Sequence, residues 1–332
     1  MFVGHALLAF AVAASVAAFT GWPRERALSV GLVAGLFAAA PDVDMAYALV
    51  GVATASVGNA LALAGAFWQT GNLVHRAVTH SLVVALFVSL SVGLVASGVR
   101  AASLGGRRRR ASRLSTGGGL LLSTALVVAA GAKSGLLGAV VMGLFCAVSL
   151  GIALVAVRRT ELDACSLAAA ALFGVASHPF GDLFTGEPPA LLYPLDAVVF
   201  ADRLTLHADP TVHLLSAFGL ELATIWAAVL VGLWLTGRSL RTAVDARAAL
   251  GVGYAGSLLV IPAPTLDLSY PFVFTVLAVG AVGATPRFRR SVPSRRLRRP
   301  TFELPERLSA AVTGLAAVTL GWVAYSLAYL LA

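Results

Sequence analysis

The chain has 332 residues, 59% hydrophobic and only 12% charged, with a formal net charge of +9 and a mean hydropathy of +0.89. A soluble domain carries about twice that share of charge, so a water-soluble enzyme is excluded and a polytopic membrane protein is indicated. The charge excess comes from 23 arginines and one lysine, Lys133; the arginines cluster between apolar runs, which points to membrane topology and not to nucleic acid.

Apolar runs lie near residues 6–20, 27–40, 46–66, 82–99, 117–132, 134–157, 163–176, 212–236, 248–262, 270–284 and 308–331. Several approach the roughly 20 residues that cross about 30 Å of hydrocarbon. The first has no basic segment before it, so it reads as a retained helix and not as a signal peptide. Five connections carry the arginines: Arg24/Arg26, Arg100 to Arg113, Arg158/Arg159, Arg238 to Arg247, and Arg287 to Arg307. The positive-inside rule places all five in the cytoplasm.

Three runs separate Arg26 from Arg100, an odd number that would put those loops on opposite sides. Run 46–66, diluted by Gly51, Ser56, Gly58 and Asn59, is the one expected to be re-entrant or to lie against the bundle. The expected fold is therefore all-α, with about ten crossings, one non-crossing apolar segment and both termini outside. Residues 1–205 and 206–332 read as two blocks, the second a helical membrane block of unassigned role. In that block eight arginines fall in 285–307, a topology-setting loop or a surface for anionic headgroups. Cys146 and Cys165 sit in or beside apolar runs with no disulfide or thiolate-site spacing, and read as small packing residues.

The polar chemistry collects at the ends of these runs. The stretches are Gly4-His5, Pro41-Asp42-Val43-Asp44, His75-Arg76-Ala77-Val78-Thr79-His80-Ser81 and Ser177-His178-Pro179-Phe180-Gly181-Asp182. They hold four of the six histidines and three of the fifteen acidic residues. Such groups are costly beside lipid unless they pair or bind a cation. Mixed imidazole and carboxylate donors suit zinc or another first-row divalent metal. His178 and Asp182, four apart, can grip one ion from one helical face. Pro179 suits a first helical position, which would put His178 at a helix start. Asp42 and Asp44 repel one another unless a cation or proton lies between them, or they cap the next helix. His75 and His80 are five apart and cannot share a helical face. Arg76 adds a positive charge between two candidate ligands, which fits an anionic substrate held by a guanidinium fork, or an arginine reaching to the interface. Thr79 and Ser81 are placed to bond ligands or cap the following helix. His207, Asp209 and His213 form a looser group that reads as a loop feature, and Glu221 an intramembrane carboxylate with a partner in the bundle.

Together, His5, Pro-Asp-x-Asp at 41–44, His-Arg-x-x-Thr-His-Ser at 75–81, Ser-His-x-x-x-Asp at 177–182, the continuation Leu183-Phe184-Thr185-Gly186 and Tyr193-Pro194 resemble the YdjM-like membrane-bound metal-dependent hydrolases, a LexA-regulated, inner-membrane family. The resemblance covers about residues 1–200. That family is distantly similar to zinc-dependent phospholipase C and the zinc-dependent single-strand nucleases. The resemblance implies His5, Asp42, His80, His178 and Asp182 as metal ligands, with His75 and Asp44 as additions, and one or two zinc ions.

The expectation is a multi-pass plasma-membrane hydrolase. Its substrate would be a phosphoester, a phospholipid or lipid-linked phosphate at the non-cytoplasmic face, with Asp44 as general base and Arg76 holding the phosphate. Membrane lipids are the expected partners; no nucleic acid is. The alternatives are a metal-ion transporter and a non-catalytic scaffold with a structural metal.

Overall fold

The computed structural model describes residues 2–55, 60–71, 76, 78–103, 109–289, 301–303 and 305–332. They form two compact units, Met1–Leu204 and Thr205–Ala332.

The first unit is a helical bundle. Its long elements are α1 (Phe2–Phe19), α2 (Arg24–Ala39), α5 (Leu82–Ser103), α6 (Arg109–Arg159) and α7 (Ala164–Asp182). Between α2 and α5 lie a 3₁₀ helix, Pro41–Tyr47, and two short helices, α3 (Ala48–Thr54) and α4 (Ala60–Gly71). The long helices are apolar all round, as expected of segments facing both a core and lipid. They approach through small residues, the usual means where lipid supplies no hydrophobic drive for association. At Gly35 an added Cβ would lie 2.8 Å from the Ala6 carbonyl oxygen, and at Gly174 it would lie 2.8 Å from Phe37 Cβ. These contacts pack both α1 and α7 against α2.

Asp163 caps α7 by accepting from the Ser166 amide at 2.8 Å, and Ser81 caps α5 by accepting from Val83 and Val84. Pro179 lies inside α7 near its end, not at a first helical position, so His178 belongs to the closing turns of a helix. A proline there removes the bond that an amide at this position would give to the Val175 carbonyl.

α6 spans 51 residues, about 77 Å if straight, and it is not straight. Gly135 has φ 69° and ψ −166° inside it, a conformation open to glycine. A Cβ on Gly143 would lie 3.9 Å from Val127, so the chain folds back on itself at Gly135. The two apolar runs 117–132 and 134–157 are the arms of this hairpin.

The two ends of the bundle differ. At one end Arg26 reaches Asp163 at 3.2 Å, and Arg100 donates to the carbonyls of Thr160 and Leu162. This ties together the start of α2, the end of α5 and the start of α7. The opposite end holds the start of α1, the end of α2, the start of α5 and the end of α7. The α3–α4 segment leaves that second end after Asp44 and returns to it before His80. It therefore makes no single crossing, and at 7 and 12 residues its helices are too short for one.

The second unit contains α8 (Pro210–Thr236), α9 (Leu240–Ala243), a 3₁₀ helix Ala246–Leu259, α10 (Tyr270–Ala278) continuing as a 3₁₀ turn over Val279–Ala284, and α11 (Arg307–Leu331). Arg287–Arg289 and Thr301–Glu303 pair as an antiparallel ribbon. Its core packs Leu222 with Tyr254, Phe272 and Tyr325.

Among the described residues, six helices are long and apolar enough to cross a membrane: Arg24–Thr54, Leu82–Ser103, Arg109–Arg159, Ala164–Asp182, Pro210–Thr236 and Arg307–Leu331. The protein is a multi-pass helical membrane protein. Six is fewer than the ten crossings expected from the runs. The difference has three sources: two runs share α6, 248–262 is a 3₁₀ helix, and Val3–Phe19 and Tyr270–Ala284 fall short of full crossing length.

Candidate metal centre

Five of the expected site residues converge at the end of the bundle remote from Arg26 and Arg100. His5 comes from the first turns of α1, Asp42 from the 3₁₀ helix after α2, His80 from the residues just before α5, and His178 and Asp182 from the end of α7. Their donor atoms form two overlapping groups, His5–His178–Asp182 and Asp42–His80–His178, each with all atoms within 4.8 Å of one another. The i, i+4 spacing does bring His178 and Asp182 to one face: Nε2 and Oδ2 are 3.7 Å apart.

Hydrogen bonding assigns the imidazole protons. His178 Nδ1 lies 2.6 Å from the Ala38 carbonyl oxygen, which can only accept, so Nδ1 donates, and in the neutral ring Nε2 carries a lone pair. Thr79 Oγ1 donates to Asp44 Oδ2 at 2.8 Å, and so accepts from His80 Nδ1 at 2.8 Å. His80 Nε2 is then also a lone pair. These two nitrogens face each other at 3.0 Å. Around them stand Asp182 Oδ2, 3.2 Å from His80 Nε2, and Asp42 Oδ1, 3.4 Å from His178 Nε2.

With both rings neutral, four electron-pair donors converge here with no proton between the nitrogens. Asp182 Oδ2 is buried and accepts no hydrogen bond among the described residues. A buried carboxylate oxygen without a donor is expensive, and a divalent cation among these atoms removes both problems. The set of two imidazoles and two carboxylates fits zinc or another first-row divalent metal. Burial, with His178 alongside, pushes the His80 imidazole down to about 4, which keeps the ring neutral at pH 7 as a ligand must be.

The surrounding residues hold these donors in place. Asp182 Oδ1 lies 3.2 Å from His5 Nε2 and 3.4 Å from Arg76 Nη2. Arg76, the one described non-glycine residue with positive φ (69°), also donates to Thr185 Oγ1 at 3.2 Å and to the Glu187 carbonyl at 3.1 Å. The fork expected to face a substrate is instead engaged with the C-terminal turn of α7 and the chain that follows it. His5 packs on Gly181, where an added Cβ would lie 2.5 Å from His5 Nδ1. Ser81 joins its capping role to a 2.7 Å bond to the Tyr193 carbonyl, pinning the 183–204 segment beside the site.

The other expectations fall differently. Asp44, expected as ligand or general base, is buried behind His80, with Thr79 between them, on the Nδ1 side of the ring. His75 lies outside the described residues. His213 Nδ1 accepts from the Leu206 amide, His207 Nδ1 from the Asp209 amide, and Asp209 caps α8 through the Val212 amide; the three form a helix-start feature of the second unit. Glu221 is half-buried on α8. Sequence reasoning missed the Ala38 carbonyl. A backbone acceptor leaves no mark in sequence, whereas Thr79 immediately before His80 was visible as a possible partner.

The profile of the YdjM inner membrane protein family matches residues 1–260. No curated protein and no solved structure matches the chain.

Proposed function

The chain belongs to the YdjM inner membrane protein family, and from that premise and the geometry above we propose that it is a membrane-bound metal-dependent hydrolase of phosphoesters. The observation that carries the reading is the pair of Nε2 atoms 3.0 Å apart with a buried carboxylate oxygen, Asp182 Oδ2, beside them. Asp42, His80, His178 and Asp182 would hold a single ion, because His178 has one lone pair to give and both three-donor groups depend on it. Such an ion supplies Lewis acidity and offsets charge that develops on a phosphoryl group.

The chain's own residues perform the positioning. Asp44 and Thr79 fix the His80 tautomer, Ala38 fixes that of His178, and His5 with Arg76 orients Asp182. Asp42, its side chain 15% exposed against 2% or less for His80, His178 and Asp182, marks the side from which a substrate reaches the site. Arg76 stands at the same rim, its side chain 13% exposed, close enough for an anionic group to share its charge. The arginine-bearing end of the first unit would face the cytoplasm, which puts the centre at headgroup depth on the other face. Exposed Phe180, Leu195 and Val198 near it favour a phospholipid or lipid-linked phosphate over a soluble ester.

A structural metal is the second reading, favoured by one observation: four protein donors lie close together, the number that fills the coordination of structural zinc. A phosphoesterase screen of the purified protein, with and without chelator, separates the two. Chelator-sensitive hydrolysis restored by zinc supports the enzyme. Loss of thermal stability on chelation, with no hydrolysis of any lipid phosphate at any stage, supports the structural role.

A further inference from the structure

The turn that follows α7 wraps the Arg76 guanidinium. Nη1 donates to the carbonyl oxygens of Asp182, at 3.4 Å, and Glu187, at 3.1 Å. Nη2 donates to Asp182 Oδ1 at 3.4 Å and to Thr185 Oγ1 at 3.2 Å. The same segment holds the Arg76 backbone, whose carbonyl accepts from the Ala190 amide at 3.0 Å. The fork thus reaches Asp182 only where this turn leaves it room, and Asp182 Oδ2 stands 3.2 Å from His80 Nε2 in the donor cluster.

Gly186 provides that room. It lies between Thr185 and Glu187, and a Cβ added there would stand 2.1 Å from Arg76 Nη1, 2.8 Å from Cζ and 3.2 Å from Nη2. Non-bonded heavy atoms settle at about 3.5 Å or more, so a methyl at 186 and the guanidinium in its present place exclude one another. The backbone does not call for glycine here: the described glycines with positive φ are Gly21, Gly135 and Gly237. All three atoms nearest the added Cβ belong to Arg76. The guanidinium is also the free end of a flexible side chain, so it is the group that gives way.

We infer that Gly186 is a positioning residue for the metal centre: it seats the Arg76 fork on Asp182 and so holds that carboxylate in the orientation in which it meets a cation. The inference rests on the metal-centre reading above and adds a residue that acts on the centre only through Arg76. Gly186→Ala keeps the arginine charge and moves the fork.

The test is zinc affinity of the purified full-length protein, by competition against a chelator of known affinity, with circular dichroism as the check on folding. Gly186→Ala should bind zinc roughly 10- to 100-fold more weakly, the range for loss of a ligand's outer hydrogen-bond partner. In an Arg76→Ala background there is no fork to displace, and Gly186→Ala should cost nothing further. A methyl that harmed the turn itself would lower affinity in both backgrounds. If Gly186→Ala alone does not fold, the double variant decides: a folded double variant places the clash on the guanidinium, and an unfolded one places it on the turn and overturns the inference. Wild-type affinity in a folded Gly186→Ala protein, or an equal loss in both backgrounds, also overturns it while leaving the metal centre standing. A wild type that takes up no zinc removes the metal centre itself, and this inference with it.

Discussion

Replacing Thr79 by Val keeps the shape of a fully buried side chain and removes only its hydroxyl. That hydroxyl bridges Asp44 and His80 through two 2.8 Å hydrogen bonds. Without it nothing in this bridge holds the His80 proton on Nδ1, and the ring can turn its N–H toward the donor cluster, where a lone pair is needed. A hydrogen bond to a charged group contributes about 1.5–3 kcal/mol. If all of that loss falls on the bound state, metal affinity drops by roughly 10- to 150-fold at tenfold per 1.4 kcal/mol. The range agrees with the ~10- to 100-fold typical of removing a ligand's outer hydrogen-bond partner. The assay is competition for zinc against a chelator of known affinity, with circular dichroism as a check on folding. Thr79→Ser keeps the hydroxyl and should retain affinity within a few-fold. A folded Thr79→Val protein that binds zinc as the wild type does would refute the tautomer argument.

Arg76→Ala should weaken metal binding as well as any hydrolysis, since the guanidinium supports Asp182 at 3.4 Å; Arg76→Lys should recover only part, because an ammonium cannot bridge Asp182, Thr185 and Glu187 together. Unchanged zinc affinity in Arg76→Ala would return this arginine to a purely substrate-facing role. Gly181→Ala places a methyl against the His5 ring and should displace it, lowering metal affinity several-fold, whereas Gly117→Ala, in open space, should be neutral; chelator competition on both variants checks this. In a cysteine-free background, Val198→Cys should label with a membrane-impermeant maleimide on intact cells and Arg110→Cys only after lysis. The reverse pattern would invert the orientation of the centre.

Much of the site was legible because its residues sit where apolar runs end, and helix ends are the places a bundle can bring together. The odd count of runs between Arg26 and Arg100 singled out 46–66, and the structure has the short α3 and α4 there, leaving from and returning to one end. Other features depend on three-dimensional detail that residue order does not encode. The direction of the Arg76 fork follows from a positive φ and from the Asp182–Glu187 turn. The place of Asp44 behind His80 follows from Thr79 being drawn between them. Pro179 looked like a helix start, but it lies inside α7 near its end, a placement that its residue type does not signal. In the second unit, Gly, Ala and Val runs that would suit α-helices adopt 3₁₀ turns over Ala246–Leu259 and Val279–Ala284, where they pack tightly against small residues of α11.

The central claim is that Asp42, His80, His178 and Asp182 hold a divalent cation, and elemental analysis of the purified full-length protein tests it most directly. The protein should carry, or take up from zinc-supplemented buffer, close to one transition-metal ion per chain, and His178→Ala should carry almost none, because both donor groups depend on that residue. A wild-type protein that stays metal-free under zinc supplementation, or a folded His178→Ala variant with full metal content, would contradict the account.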